Sequence, residues 1–278
     1  MSLVASLLAA CSGQFWVNTL VPPWGYARDT DIAYGEMARQ RLDIYRPDRP
    51  APGAPVVVFF YGGSWQEGNK DGYRFVGQAL ASRGITAVIP DYRLYPEVTF
   101  PAFVEDGADA VAWTRAHIAD YGADPDNLFL AGHSAGAHIA AMLAVAPDYL
   151  KAAGVPQGAI SGLIGMAGPY DFLPIVDPTL KTIFAPESAW PRTQPIHFVD
   201  GREPPMLLLH GEADETVLPK NTINMADKVN ASGGNARIKL YPGVDHVMLI
   251  APLASVLRFK GDELDMIDSF IRAHVGTG

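Results

Sequence analysis

The sequence predicts an α/β fold with a mostly parallel central sheet, and three observations carry that expectation. From residue 56 onward, short apolar runs rich in β-branched residues alternate with longer stretches of helical period. Such alternation builds a parallel sheet with helices on both faces. Glycines stand directly after two of the helical stretches, at Gly84 and Gly122, where a helix end needs the left-handed conformation. The residues suited to chemistry fall just after the expected strands, the carboxyl-end edge where ligands collect in open sheets of this kind.

The first elements are residues 31–34 and 41–45, two short strands that form an antiparallel hairpin. The proline-rich residues 47–55 make a loop, because proline donates nothing to a sheet ladder. Val56-Val57-Val58-Phe59-Phe60 is a continuous apolar run, as in a strand buried on both faces. Helix is expected over 73–82, strand over 85–89 and a long amphipathic helix over 103–121. Strand follows over 127–130, helix over 135–146 and strand over 159–166. Residues 168–204 are irregular and proline-containing, a minimal cap too short for an elaborate lid. Strand over 206–209, helix over 222–231, strand over 237–241 and one closing helix over 257–275 complete the chain.

A length of 278 residues suits one large domain, expected over residues 28–278. The formal net charge of −9, without a run of lysine and arginine, argues against nucleic acid as a partner. The single cysteine, Cys11, excludes an internal disulfide. Residues 1–27 carry no charged side chain, so they read as an N-terminal arm or a signal-like segment. Leu8-Ala9-Ala10-Cys11 looks like a bacterial lipoprotein cleavage box, although the basic stretch that should precede it is missing. The expectation attached to it is a membrane tether through a lipidated Cys11 and a periplasmic or membrane-tethered location. The other reading is an arm packed on a cytoplasmic protein.

Gly132-His133-Ser134-Ala135-Gly136 follows a strand and opens a small-residue helix. Gly-x-Ser-x-Gly in that setting describes a strand-to-helix turn so tight that the serine stands exposed above the sheet, which makes Ser134 the candidate nucleophile. A serine hydroxyl needs a base, and in this arrangement the order is Ser, then Asp or Glu, then His. Of seven histidines, His246 alone follows a late strand, in Pro242-Gly243-Val244-Asp245-His246. His133 and His138 lie too near Ser134 in sequence and are expected to orient or pack. The acid belongs in Gly211-Glu212-Ala213-Asp214, where Asp214 fits best, Glu212 is the rival and Asp245 is poorly placed beside His246. Backbone donors for an oxyanion are expected at Ala135, after the nucleophile, and at Gly63 and Ser64 of Tyr61-Gly62-Gly63-Ser64-Trp65. Trp65, Tyr170 and Phe172 are expected to line the substrate pocket.

From about Tyr34 to the C-terminus the chain resembles carboxylesterases of the α/β-hydrolase superfamily, of the hormone-sensitive-lipase-like and kynurenine-formamidase-like (BD-FAE-like) type. The resemblance rests on Leu42-Asp43-Ile44-Tyr45, Tyr61 to Trp65, Pro90-Asp91-Tyr92-Arg93-Leu94, the Gly132 to Gly136 turn, Gly211 to Asp214, and His246. Family members usually carry histidine where this chain has Tyr61, and Asp91 and Arg93 are read as structural. The resemblance implies a serine hydrolase acting on a small ester or amide substrate, with no cofactor and no metal. Hydrolysis of small carboxylic esters is the first expectation. An arylformamidase and a non-catalytic binding protein on the same fold are the alternatives. Oligomeric state and natural substrate stay open.

Overall fold

The computed structural model describes residues 17–276. Cys11 and the signal-like box lie outside the described residues. Eight strands form one sheet in the order β1-β2-β4-β3-β5-β6-β7-β8. They are β1 Tyr26–Ala33, β2 Arg41–Pro47, β3 Val56–Phe60, β4 Thr86–Pro90, β5 Leu128–His133, β6 Gly162–Met166, β7 Met206–Gly211 and β8 Ala236–Tyr241. β1 pairs antiparallel with β2, and β2 antiparallel with β4. Every other pairing is parallel. The sheet begins two residues inside the stretch read from sequence as an arm.

The central strands are apolar on both faces because both faces are covered. Every residue of β3, β5, β6 and β7 is buried. Burying one Val, Leu or Phe side chain contributes about 1.5–3 kcal/mol, so β3 alone accounts for a sizeable share of the core. α1 Arg74–Ala81 and α7 Glu263–His274 pack together on one face. α2 Ala102–His117, α3 Ala135–Val145 and the short α4 Pro147–Ala152 pack on the other. α5 Pro178–Ile183 lies in the irregular segment, and α6 Lys220–Ala231 packs against β7 and β8.

Two expectations are corrected here. The closing helix is not continuous over 257–275: a 3-10 turn, Ser255–Lys260, is separated from α7 by Gly261, whose backbone is extended. Gly261 also lies under the Glu263 carboxyl, whose Oε2 is 2.1 Å from where a Cβ would stand. The strand read over 127–130 runs on to His133, because Gly132 and His133 still pair with β6. The serine therefore sits at the very end of the strand rather than after a short linker.

Candidate active site

Ser134 occupies the step between β5 and α3 with φ 56° and ψ −124°, a conformation L residues rarely adopt. Such strain costs on the order of 1–3 kcal/mol and persists only where the surroundings enforce it. Here the glycines on either side permit it. A Cβ on Gly132 would stand 2.4 Å from the Gly136 carbonyl carbon, and one on Gly136 would stand 2.0 Å from the Phe60 carbonyl oxygen. The turn therefore closes only with both glycines. Ser134 is 8% exposed, at the carboxyl edge of the sheet.

Two loops further along the chain complete a hydrogen-bonded series. His246 Nε2 is 2.9 Å from Ser134 Oγ, and His246 Nδ1 is 2.7 Å from Asp214 Oδ2. An ionised carboxylate only accepts, so Nδ1 carries the proton and Nε2 is free to accept from the serine. The other Asp214 oxygen, Oδ1, accepts from the N–H groups of Thr216 and Val217 at 2.9 Å each. Burial raises the Asp214 pKa, but hydrogen bonds from His210, His246 and Val217 outweigh it and hold the carboxyl well below the usual range. Glu212 is exposed. Asp245 is taken up by its own turn, accepting from the N–H groups of Val247 and Met248.

Two further histidines support this series, and sequence reasoning assigned neither a partner. His210, fully buried at the end of β7, has Nε2 2.8 Å from the Val217 carbonyl and 3.3 Å from Asp214 Oδ2. Its Nδ1 accepts from Thr222 Oγ1 at 2.7 Å. The available signal was its spacing of four residues before Asp214 across a turn. His133 Nε2 donates to the His246 carbonyl at 3.0 Å, with the two rings 4.8 Å apart. Burial, and secondarily the charge His246 can carry, lowers the His133 pKa to about 3, so this ring stays neutral and fixes the position of the His246 backbone.

Across from Ser134 lies the loop that leaves β3. A Cβ on Gly62 would stand 3.0 Å from Ser134 Cβ, so the loop rests directly on the serine turn. Gly63, Ser64 and Trp65 follow with φ of 132°, 51° and 59°. Among the described residues the N–H groups of Gly63 and Ser64 donate to no protein acceptor. Ala135 is the first residue of α3, where helix N–H groups are intrinsically unpaired.

Trp65 is buried in an aromatic cluster with Phe184 at 4.8 Å, His138 at 5.1 Å and Phe172 at 6.1 Å between ring centroids. His138, one turn past Ser134, has its Nε2 bonded to the Thr193 carbonyl at 2.8 Å, which ties the irregular segment to α3. Phe172 is half-buried at the edge of the cluster. Tyr170 departs from expectation: its side chain has no exposed surface. Its hydroxyl lies 1.9 Å from where a Cβ on Gly165 would stand, and its ring 2.3 Å from where one on Gly168 would. Those two glycines open a slot for the ring inside the core, so Tyr170 packs rather than lines a pocket. Arg93 pairs with buried Asp106 at 2.7 Å, a structural contact.

Comparison with known proteins places this arrangement. A family model described as BD-FAE matches residues 42–229. An isoprenylcysteine alpha-carbonyl methylesterase (ICME) of Arabidopsis thaliana is 32% identical over 269 residues, covering 89% of this chain and 62% of that protein. A probable carboxylic ester hydrolase, LipM, of Mycobacterium tuberculosis is 32% identical over 227 residues, covering 73% of this chain and 52% of that protein. The chain thus spans only about half to three-fifths of the length of these curated relatives. Among solved structures, EstE1, a thermophilic carboxylesterase cloned from a metagenomic library, superposes with a TM-score of 0.77 at 21% identity, over 99% of this chain and 98% of that one. Esterase B from Lactobacillus rhamnosis superposes with a TM-score of 0.79 at 20% identity, over 96% and 92%. The serine turn, the strand order and the family match agree: this chain belongs to the BD-FAE family and has the α/β-hydrolase fold.

Proposed function

We propose that the protein is a serine carboxylesterase that cleaves small carboxylic esters through an acyl-enzyme. The observation that carries this reading is the unbroken series Asp214–His246–Ser134, at 2.7 and 2.9 Å, ending on a strained serine. Ser134 Oγ attacks the ester carbonyl carbon while His246 Nε2 takes its proton. The electron pair displaced from the C=O bond becomes an oxyanion, and the N–H groups of Gly63, Ser64 and Ala135 receive it. Collapse of this intermediate breaks the C–O bond, and His246 returns the proton to the departing alcohol. Water then repeats the sequence on the acyl-serine and releases the carboxylic acid. Asp214 stays ionised throughout and stabilises the imidazolium that forms twice per turnover.

The naming of the relatives as methylesterases and carboxylic ester hydrolases supports an ester over a formamide. Purified protein is expected to hydrolyse p-nitrophenyl acetate with a burst of nitrophenol and to label with a fluorophosphonate. Ser134→Ala is expected to abolish both. Turnover of N-formylkynurenine without any ester hydrolysis would instead make it an arylformamidase. Failure to label at all would leave a binding protein.

A further inference from the structure

The loop that approaches Ser134 holds an unusual backbone, with positive φ at Gly63, Ser64, Trp65 and Gly68 within six residues. Two of these are not glycine, so the loop needs ties from outside itself to keep its shape. The ties converge on Tyr61, whose side chain is fully buried between the rings of Tyr73 and Tyr92, at 5.4 and 4.7 Å. Its hydroxyl donates to Asp91 Oδ1 at 2.7 Å and accepts from Arg39 Nη2 at 2.8 Å. The same Asp91 oxygen accepts the Lys70 N–H at 2.7 Å, so one carboxylate oxygen holds both the beginning and the end of the loop. Arg39 Nη2 also donates to the Gly68 carbonyl at 2.8 Å, and Arg39 Nε to the Tyr92 carbonyl at 2.8 Å. Tyr92 closes the circuit by donating its hydroxyl to the Tyr61 carbonyl at 2.7 Å.

We infer that Tyr61, joined to Asp91 and Arg39, is the positioning residue of the oxyanion loop, fixing where the Gly63 and Ser64 N–H groups point. The inference rests on the esterase reading of Ser134. No member of the clamp hydrogen-bonds Ser134, His246 or Asp214, so it acts through the loop. Nor does the role pass simply to a histidine in this chain. An imidazole nitrogen stands nearer the main chain than a phenol oxygen does, too short to reach Asp91 and Arg39 together at these distances from the same backbone.

The test compares wild type with Tyr61→Phe, which keeps the stacked ring and removes both hydroxyl bonds. Oxyanion donors act in the transition state, so kcat is expected to fall about 10- to 100-fold with KM changed less than about threefold. A trifluoromethyl ketone, whose serine adduct carries an oxyanion, is expected to lose affinity by the same factor as kcat/KM. Arg39→Met leaves the Tyr61–Asp91 bond but frees the Gly68 and Tyr92 carbonyls, at a partly exposed site. About a 3- to 10-fold loss in kcat is expected there, again matched by the ketone. A Tyr61→Phe enzyme with kcat within twofold of wild type and only a lowered Tm would reduce the clamp to structural support and overturn the inference. So would a fall in kcat that the ketone does not follow, or an Arg39→Met enzyme that behaves as wild type when Tyr61→Phe fails to fold. Wild type that neither hydrolyses esters nor labels with a fluorophosphonate would defeat the esterase reading itself, and the inference with it.

Discussion

Asp214→Asn is nearly isosteric, yet the surroundings dictate which way the new amide must face. Oδ1 accepts from two backbone N–H groups, Thr216 and Val217, so the amide oxygen has to remain there. The NH2 group is then turned toward His246 Nδ1, which must become an acceptor and surrender its proton to Nε2. An Nε2–H facing Ser134 Oγ cannot take the serine proton. In a serine-protease triad an inverted tautomer of this kind costs about 10⁴-fold in kcat, or about 5 kcal/mol of transition-state stabilisation. The same NH2 also meets the protonated Nε2 of His210, 3.3 Å from Oδ2 in the wild type. Two donors face to face in a buried site cost about 1–3 kcal/mol of stability. The assay is the kcat for p-nitrophenyl acetate between pH 7 and 9, beside a urea unfolding curve. A variant within tenfold of wild-type kcat would refute the tautomer argument, and with it the role given to Asp214.

Other expectations follow from burial and from the glycine contacts. The His138 pKa, lowered from 6.5 to about 4 by burial, makes the folded protein take up this proton later than the unfolded chain does. The associated stability is therefore complete above pH 6.5 and is lost as the pH falls toward about 4, a loss of about 3 kcal/mol. His138→Gln can keep the bond to the Thr193 carbonyl without titrating. Urea midpoints for the variant should fall less than those of wild type between pH 6.5 and 4, and parallel curves would contradict this. Gly136→Ala places a methyl 2.0 Å from the Phe60 carbonyl oxygen, which forces α3 away from β3. A lowered Tm and lost fluorophosphonate labelling are expected, and an unchanged Tm would show that the turn has slack.

Where local chemistry alone decided an element, it could be read from the sequence. Val56–Phe60 reads as a two-sided buried strand, and it is one residue for residue. The Gly132 to Gly136 turn is legible because steric exclusion at two positions leaves little else possible. Elements decided by tertiary contacts were not legible in the same way. Residues 257–260 have a helical pattern, but the pattern does not reveal that Gly261 is extended under Glu263. Tyr170 looks like a pocket aromatic because it follows a strand end, and only the slot over Gly165 and Gly168 shows that it points inward. His210 and His133 carry partners that lie 12 and 113 residues away. The four-residue spacing to Asp214 hints at the first, but no spacing rule reaches the second.

β8, the strand that delivers His246, is the last strand in the chain and lies at the sheet's edge, bonded on one side to β7. Ser134 stands on β5, in the middle of the sheet, and is separated from its base by 112 residues. A strand paired on one side only has fewer ladder bonds to break before it opens locally than one paired on both. Detaching this one would take the base away from the nucleophile while the serine turn stayed folded. On the proposed mechanism, turnover would report the seating of the outermost strand as well as the integrity of the core.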